Sequence, residues 1–67
     1  MNKHYIVYVS KIEHTTTKSY LIARAAFEHL EDKGYTWVLL NERHLNIDGG
    51  HCEHSLMASP AVMKGED

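Results

Sequence analysis

Little in this chain declares a chemistry. Its single cysteine cannot close an internal disulfide. No apolar run nears the roughly 18 residues of a membrane span, and the charged start is followed by no hydrophobic signal segment. A cytoplasmic protein with no membrane partner is therefore expected. Positive charge is scarce too: seven Lys and Arg against nine Asp and Glu give a formal charge of −2 and a sequence pI near 6.3. Phosphate backbones select a basic footprint that is missing here, so nucleic acid is not the expected partner. Length is short as well. At 67 residues the chain holds one small domain, with no internal repeat and no linker. A domain of about 60 residues buries only about 60% of the surface its unfolded chain exposes, so its core is marginal.

What is present is a pattern of strands and one helix. Residues 4–12 are dense in β-branched and aromatic side chains and predict a first strand. Thr17 or Ser19 is the expected cap of a helix in which Tyr20, Ala23, Phe27 and Leu30, widened by Ile22 and Ala26, form the buried stripe. Gly34 suits a left-handed C-cap. Residues 35–40 predict a second strand, Asn41-Glu42 a tight turn, and the alternation over 43–47 a third strand. Asp48-Gly49-Gly50 reads as a hairpin turn with a fourth strand over 52–57. The expected class is α+β: a small mixed β-sheet of three or four strands in the order β-α-β-β, with one helix on one face. The domain is expected to span 1–58, and 59–67 to be a fraying C-terminal tail.

That plan leaves apolar surface over. The alternation places Val38, Leu40, Leu45 and Ile47 under the helix, so Trp37 and Leu39 point away, beside His44. Residues 4–12 also offer two apolar sides: Tyr5, Val7 and Val9 on one, Ile6, Tyr8 and Ile12 on the other. One helix covers one face, so a second cover is required. It is the C-terminal segment, a second copy of the chain, or a different protein. Trp and Tyr among polar neighbours have the composition of binding anchors. The candidate partner-binding residues are therefore Ile6, Tyr8, Ile12, Trp37, Leu39 and His44.

Chemical motifs are weak beside this. Six histidines are the largest oddity of composition, and His44, His51, Cys52 and His54 form the one candidate metal set. A structural zinc site wants four convergent ligands, whereas alternation on a strand turns His51 away from Cys52 and His54. No metal and no other cofactor is expected. Protonating all six imidazoles would raise the formal charge by six and reverse its sign. Cys52 next to His51 lacks a third, orienting group, and Asp48-Gly49-Gly50 lacks the lysine and helix of a phosphate loop. No catalytic residues and no small-molecule substrate are evident, so a non-enzymatic protein is expected.

No family motif runs through the chain. In size, element order and acidic balance it resembles the small host-takeover inhibitors of bacteriophages, among them anti-CRISPR proteins and inhibitors of host transcription. The resemblance covers the overall plan and no signature residue. It implies an inhibitor that occupies a surface of a larger host complex through aromatic anchors and acidic side chains. The alternatives are a homodimeric structural domain and a small metal-binding protein using His44, His51, Cys52 and His54.

Overall fold

The computed structural model describes residues 3–65. Six elements follow in order: β1 (Lys3–Val9), β2 (Ile12–Thr17), α1 (Tyr20–Asp32), β3 (Val38–Leu45), β4 (His51–Ala58) and the short α2 (Pro60–Met63). The strands form one sheet in the order β2-β1-β3-β4, antiparallel at every pairing. The class is α+β with α1 on one face of the sheet, as the sequence indicates.

Two details differ from the sequence expectation. The stretch expected to be one strand turns back at Ser10 and Lys11, so the sheet is antiparallel rather than mixed and gains a strand before the helix. Both turn residues have positive φ, 51° and 70°. That backbone matches the twist of a two-residue hairpin and is usually given to Asn-Gly, which is why Ser-Lys carries no turn signal. The helix does make the expected crossover. It joins β2 to β3, which run in the same direction with β1 antiparallel between them. Holding two non-glycine residues at positive φ costs free energy. Ser10→Asn combined with Lys11→Gly is therefore expected to raise stability by about 0.5–1 kcal/mol. A urea melt checks it; an unchanged midpoint would mean the turn is unstrained.

The second detail lies at Asn41 and Glu42, which form no turn. β3 runs straight through them because both its neighbours pair there: Asn41 stands opposite Ile6 on β1 and Ser55 on β4. Val38 and Leu40 keep the inward orientation expected of them, but against Val9 and Val7. Leu45 falls on the opposite face, 42% exposed, and Ile47 stands out in the 46–50 turn.

Alternation along these strands sorts the sheet into two faces. On the helix side Val7, Val38 and Leu40 are buried against Ala23, Phe27 and Leu30, with Tyr5, Val9, Ala26 and Met57 around them. Ala23, Phe27 and Leu30 recur at i, i+4 and i+7, the period of one helical stripe. Tyr20 meets Tyr5 edge to face at 5.6 Å, whereas Ile22, expected in the stripe, is 58% exposed. Ser19 caps the helix, its Oγ accepting from the Ile22 amide at 3.3 Å. At the other end Gly34, at φ 100°, lets its own amide reach Glu31 O and that of Tyr35 reach Leu30 O, which satisfies two orphan carbonyls.

The last described residues are tied down. The Ser59 amide donates to Val38 O, and α2 turns beside the C-terminal end of α1, where Glu31 and Lys64 line one groove. Ser59 and Ala61 are buried. Of the expected tail, Glu66 and Asp67 lie outside the described residues.

Candidate functional site

The face of the sheet opposite α1 carries no part of that helix, and α2 packs against β3 and β4 where Ser59 meets Val38. The shortest dimension of the molecule, 16 Å, fits one helix layer on one sheet, since packed layers lie about 10 Å apart. From β1 this open face takes His4, Ile6 and Tyr8; from β3, Leu39, Asn41, Arg43 and Leu45; from β4, His51, Glu53, Ser55 and Ala58; from the edge strand β2, Glu13 and Thr16.

A hydrogen-bonded net ties its centre together. Glu53 Oε1 accepts from the Tyr8 hydroxyl at 2.7 Å and from Asn41 Nδ2 at 2.8 Å. Its Oε2 accepts from Arg43 Nε at 3.1 Å, and Arg43 Nη2 reaches back to Tyr8 Oη at 3.4 Å. The register builds the net: Glu53 faces Arg43 directly, and Asn41 lies one pleat along the same face. Ile6 is fully buried on the face opposite α1, with His4 and Tyr8 beside it along β1 and Thr16 and Asn41 across. Asn41 Oδ1 is buried without a partner.

The electrostatics show a net built for holding shape. Hydrogen bonds from Asn41 first, then from Tyr8, hold the Glu53 carboxyl below its ordinary range despite some burial, with Arg43 adding to the effect. Desolvation first, and then Glu53, push the Tyr8 phenol up. That is the opposite of an activated nucleophile. The Glu53 hydrogen bond, first among the causes, raises Arg43. Because the folded value of Glu53 is depressed, its stabilising contribution is present above the ordinary glutamate pKa of about 4.3 and is lost as pH falls through the folded value. Glu53→Gln is expected to flatten this part of the acid limb of stability. Urea melts between about pH 2.5 and about pH 6 check it, and a slope identical to wild type would dissolve the link.

The six residues singled out from the sequence separate into two groups. Ile6, Tyr8 and Leu39 share the open face, with Tyr8 directly opposite Leu39. Trp37 precedes β3; its carbonyl accepts from the Ser10 amide at 3.0 Å, which carries the β1–β3 pairing one step further. Alternation with Val38 then puts Trp37 on the side of Leu39. Ile6 is a floor rather than a contact residue, since it is 0% exposed, while Tyr8, Trp37 and Leu39 are half-buried. Ile12 and His44 fall on the helix side. Ile12 pairs with Val9 and is 71% exposed at the sheet edge, and His44 stacks on His54 at 5.7 Å beyond the end of the helix layer. Asn41 and Arg43 were not anticipated, because a turn at 41–42 breaks the alternation that links them to Leu39.

The histidine and cysteine set is divided. Cys52 pairs with His44, and His54 shares their face; His51, opposite Leu45, lies on the other. Cys52 Sγ donates to Asn46 Oδ1 at 3.3 Å. Among the described residues no three of His, Cys, Asp and Glu group so as to hold a metal ion. No helix among them is long and apolar enough to cross a membrane.

Fold and face together define a small α+β domain whose one long helix covers one face of a four-stranded antiparallel sheet. Comparison with protein-family models, with curated proteins and with solved structures finds no match for the chain.

Proposed function

We propose that the chain is a non-enzymatic protein-binding module of the cytoplasm that docks on a larger complex through the open face and acts there as a small inhibitor. The observation supporting this is the row of half-exposed Tyr8, Leu39 and Trp37 on the face opposite α1, beside a hydrogen-bonded polar net. Aromatic side chains with limited rotamer freedom, set among polar neighbours, are the anatomy of interface anchors. Size and acidic balance agree with the resemblance to phage inhibitors. Element order does not add to it, because the chain runs β-β-α-β-β-α.

Leu21 and Ile22, 74% and 58% exposed on the outer side of α1, are the competing apolar surface. Capture from host cell extract followed by mass spectrometry, run in parallel with variants, separates the two. Trp37→Ala is expected to weaken binding of the captured partner by about 2 kcal/mol or more, roughly thirtyfold, and Leu21→Ser to leave it unchanged. A folded Trp37→Ala protein that binds at full strength would remove Trp37 from the site. Light scattering that reports a dimer blocked by the same substitution would assign the face to a second copy of the chain.

A further inference from the structure

The Tyr8 side chain crosses the sheet. It leaves β1 opposite Leu39, yet its hydroxyl meets Glu53 on β4, with β3 lying between the two strands. Asn41 starts on that middle strand and ends at the same atom: Glu53 Oε1 accepts from Tyr8 Oη at 2.7 Å and from Asn41 Nδ2 at 2.8 Å. The Tyr8 ring therefore passes over the Asn41 side chain. The same cover accounts for Ile6, which is 0% exposed, one pleat from Tyr8 on β1 and opposite Asn41.

What lies under the ring is not fully satisfied. Asn41 Oδ1 is buried with no hydrogen-bond partner. Turning the amide over gives no relief, because it would set an oxygen against Glu53 Oε1, and an ionised carboxylate only accepts. A buried acceptor without a donor costs free energy for as long as its cover stays in place.

We infer that Tyr8 is a gate on the open face: its ring closes over Asn41 and Ile6, and swings off Glu53 to bare an amide acceptor above an apolar floor. As a control on docking, the gate rests on the open face being the binding surface; as a motion of the free protein it does not. The balance of bonds keeps the two states close. Opening breaks the Tyr8–Glu53 bond and the longer one from Arg43 Nη2 at 3.4 Å, and water takes up the freed hydroxyl. Glu53 keeps Asn41 Nδ2 on one oxygen and Arg43 Nε on the other, so no charge is left unpaired. Asn41 Oδ1 gains water in exchange. One bond is lost and one orphan relieved, which places the open state at about 0.1–10% of the molecules.

The test uses the free protein with ¹³C-labelled isoleucine methyls. In the closed state the Tyr8 ring current marks the Ile6 methyls, and Tyr8→Thr, a strand former without a ring and confirmed folded, gives their positions with the cover gone. Tyr8→Phe keeps the ring and removes the latch. Its Ile6 signals are expected to move toward the Tyr8→Thr positions, as averaged peaks or as a minor state in relaxation dispersion, and the wild type to hold the same state at a severalfold smaller population. Ile12, Ile22 and Ile47 lie on other elements and are expected to stay unchanged. Ile6 signals of Tyr8→Phe that keep their wild-type positions with a flat dispersion profile overturn the gate. So does movement shared by all four isoleucines, which would be a general loosening of the fold. Neither result bears on capture by Trp37→Ala, so the gate and the docking face stand or fall separately.

Discussion

Phe27→Ala is expected to cost about 3–5 kcal/mol and to leave a large share of the molecules unfolded at room temperature. A domain of this length has a total stability of only about 3–10 kcal/mol, at roughly 0.05–0.15 kcal/mol per residue. Phe27 is the one large ring that α1 drives into the sheet, 2% exposed among Val7, Val38, Leu40 and Leu30. Its neighbours on the stripe, Ala23 and Ala26, are too small to close the gap, so the cavity persists and adds to the lost transfer free energy. On the opposite face Ile6 is the one fully buried strand side chain among the described residues, so most of the load rests on the helix side. Circular dichroism during urea and thermal melts measures the loss. A Phe27→Ala protein within about 1 kcal/mol of wild type would mean that the helix layer is not what holds the sheet. Phe27→Leu, which keeps most of the volume, is expected to cost clearly less.

The helix was legible in the sequence because every local signal agrees: a serine cap, a 3.6-residue stripe and a glycine at the C-cap. The fourth strand was legible from Asp48-Gly49-Gly50. Its turn closes as expected, with the Asn46 amide reaching Gly50 O at 2.7 Å and the Gly49 amide reaching Asn46 O at 3.1 Å. Two places misled, in opposite directions. At Ser10-Lys11 the chain turns through positive φ without the residues that usually announce it. At Asn41-Glu42 turn-forming residue types sit in the middle of a strand paired on both sides. Tertiary pairing overrode local preference in both, as it does wherever a strand is central to its sheet.

The consequences for the site follow from period two. Alternation fixed which side of Leu40 each neighbour takes, so Tyr8, Leu39 and Trp37 were grouped from the sequence alone. A turn placed one strand too early then reversed the side of Arg43, His44 and Leu45. His44 was grouped with Trp37 although it faces the helix layer, and Leu45 was placed in the core although it lies on the face opposite α1. Ile12 moved because the unannounced hairpin puts it on β2 opposite Val9, and beyond it an extra residue, His14, resets the phase of that strand. Edge strands with such bulges and polar threonines resist pairing with another chain. That argues for docking through the face rather than along the β2 edge.

Ser59→Ala is expected to cost about 2–3 kcal/mol, an unusually large loss for one hydroxyl near a chain end. Ser59 is 2% exposed, and its Oγ accepts from the Val38 amide at 2.9 Å and donates to Thr36 O at 2.6 Å. Val38 is wholly buried at the start of the central strand. Removing the hydroxyl leaves that amide without a partner where water does not reach, and a buried unpaired donor costs more than the bond was worth. The main-chain bond from the Ser59 amide to Val38 O survives in alanine, so the loss isolates the side chain. Trp37 lies between the two residues that Ser59 grips. The same substitution therefore loosens the backbone carrying the proposed anchor. Amide exchange distinguishes the effects: Val38 is expected to lose protection in Ser59→Ala, while the Phe27 region changes only with global stability. Unchanged exchange at Val38 would show that the hydroxyl bridges are dispensable, and the last turn would then be a passenger on the sheet rather than its clamp.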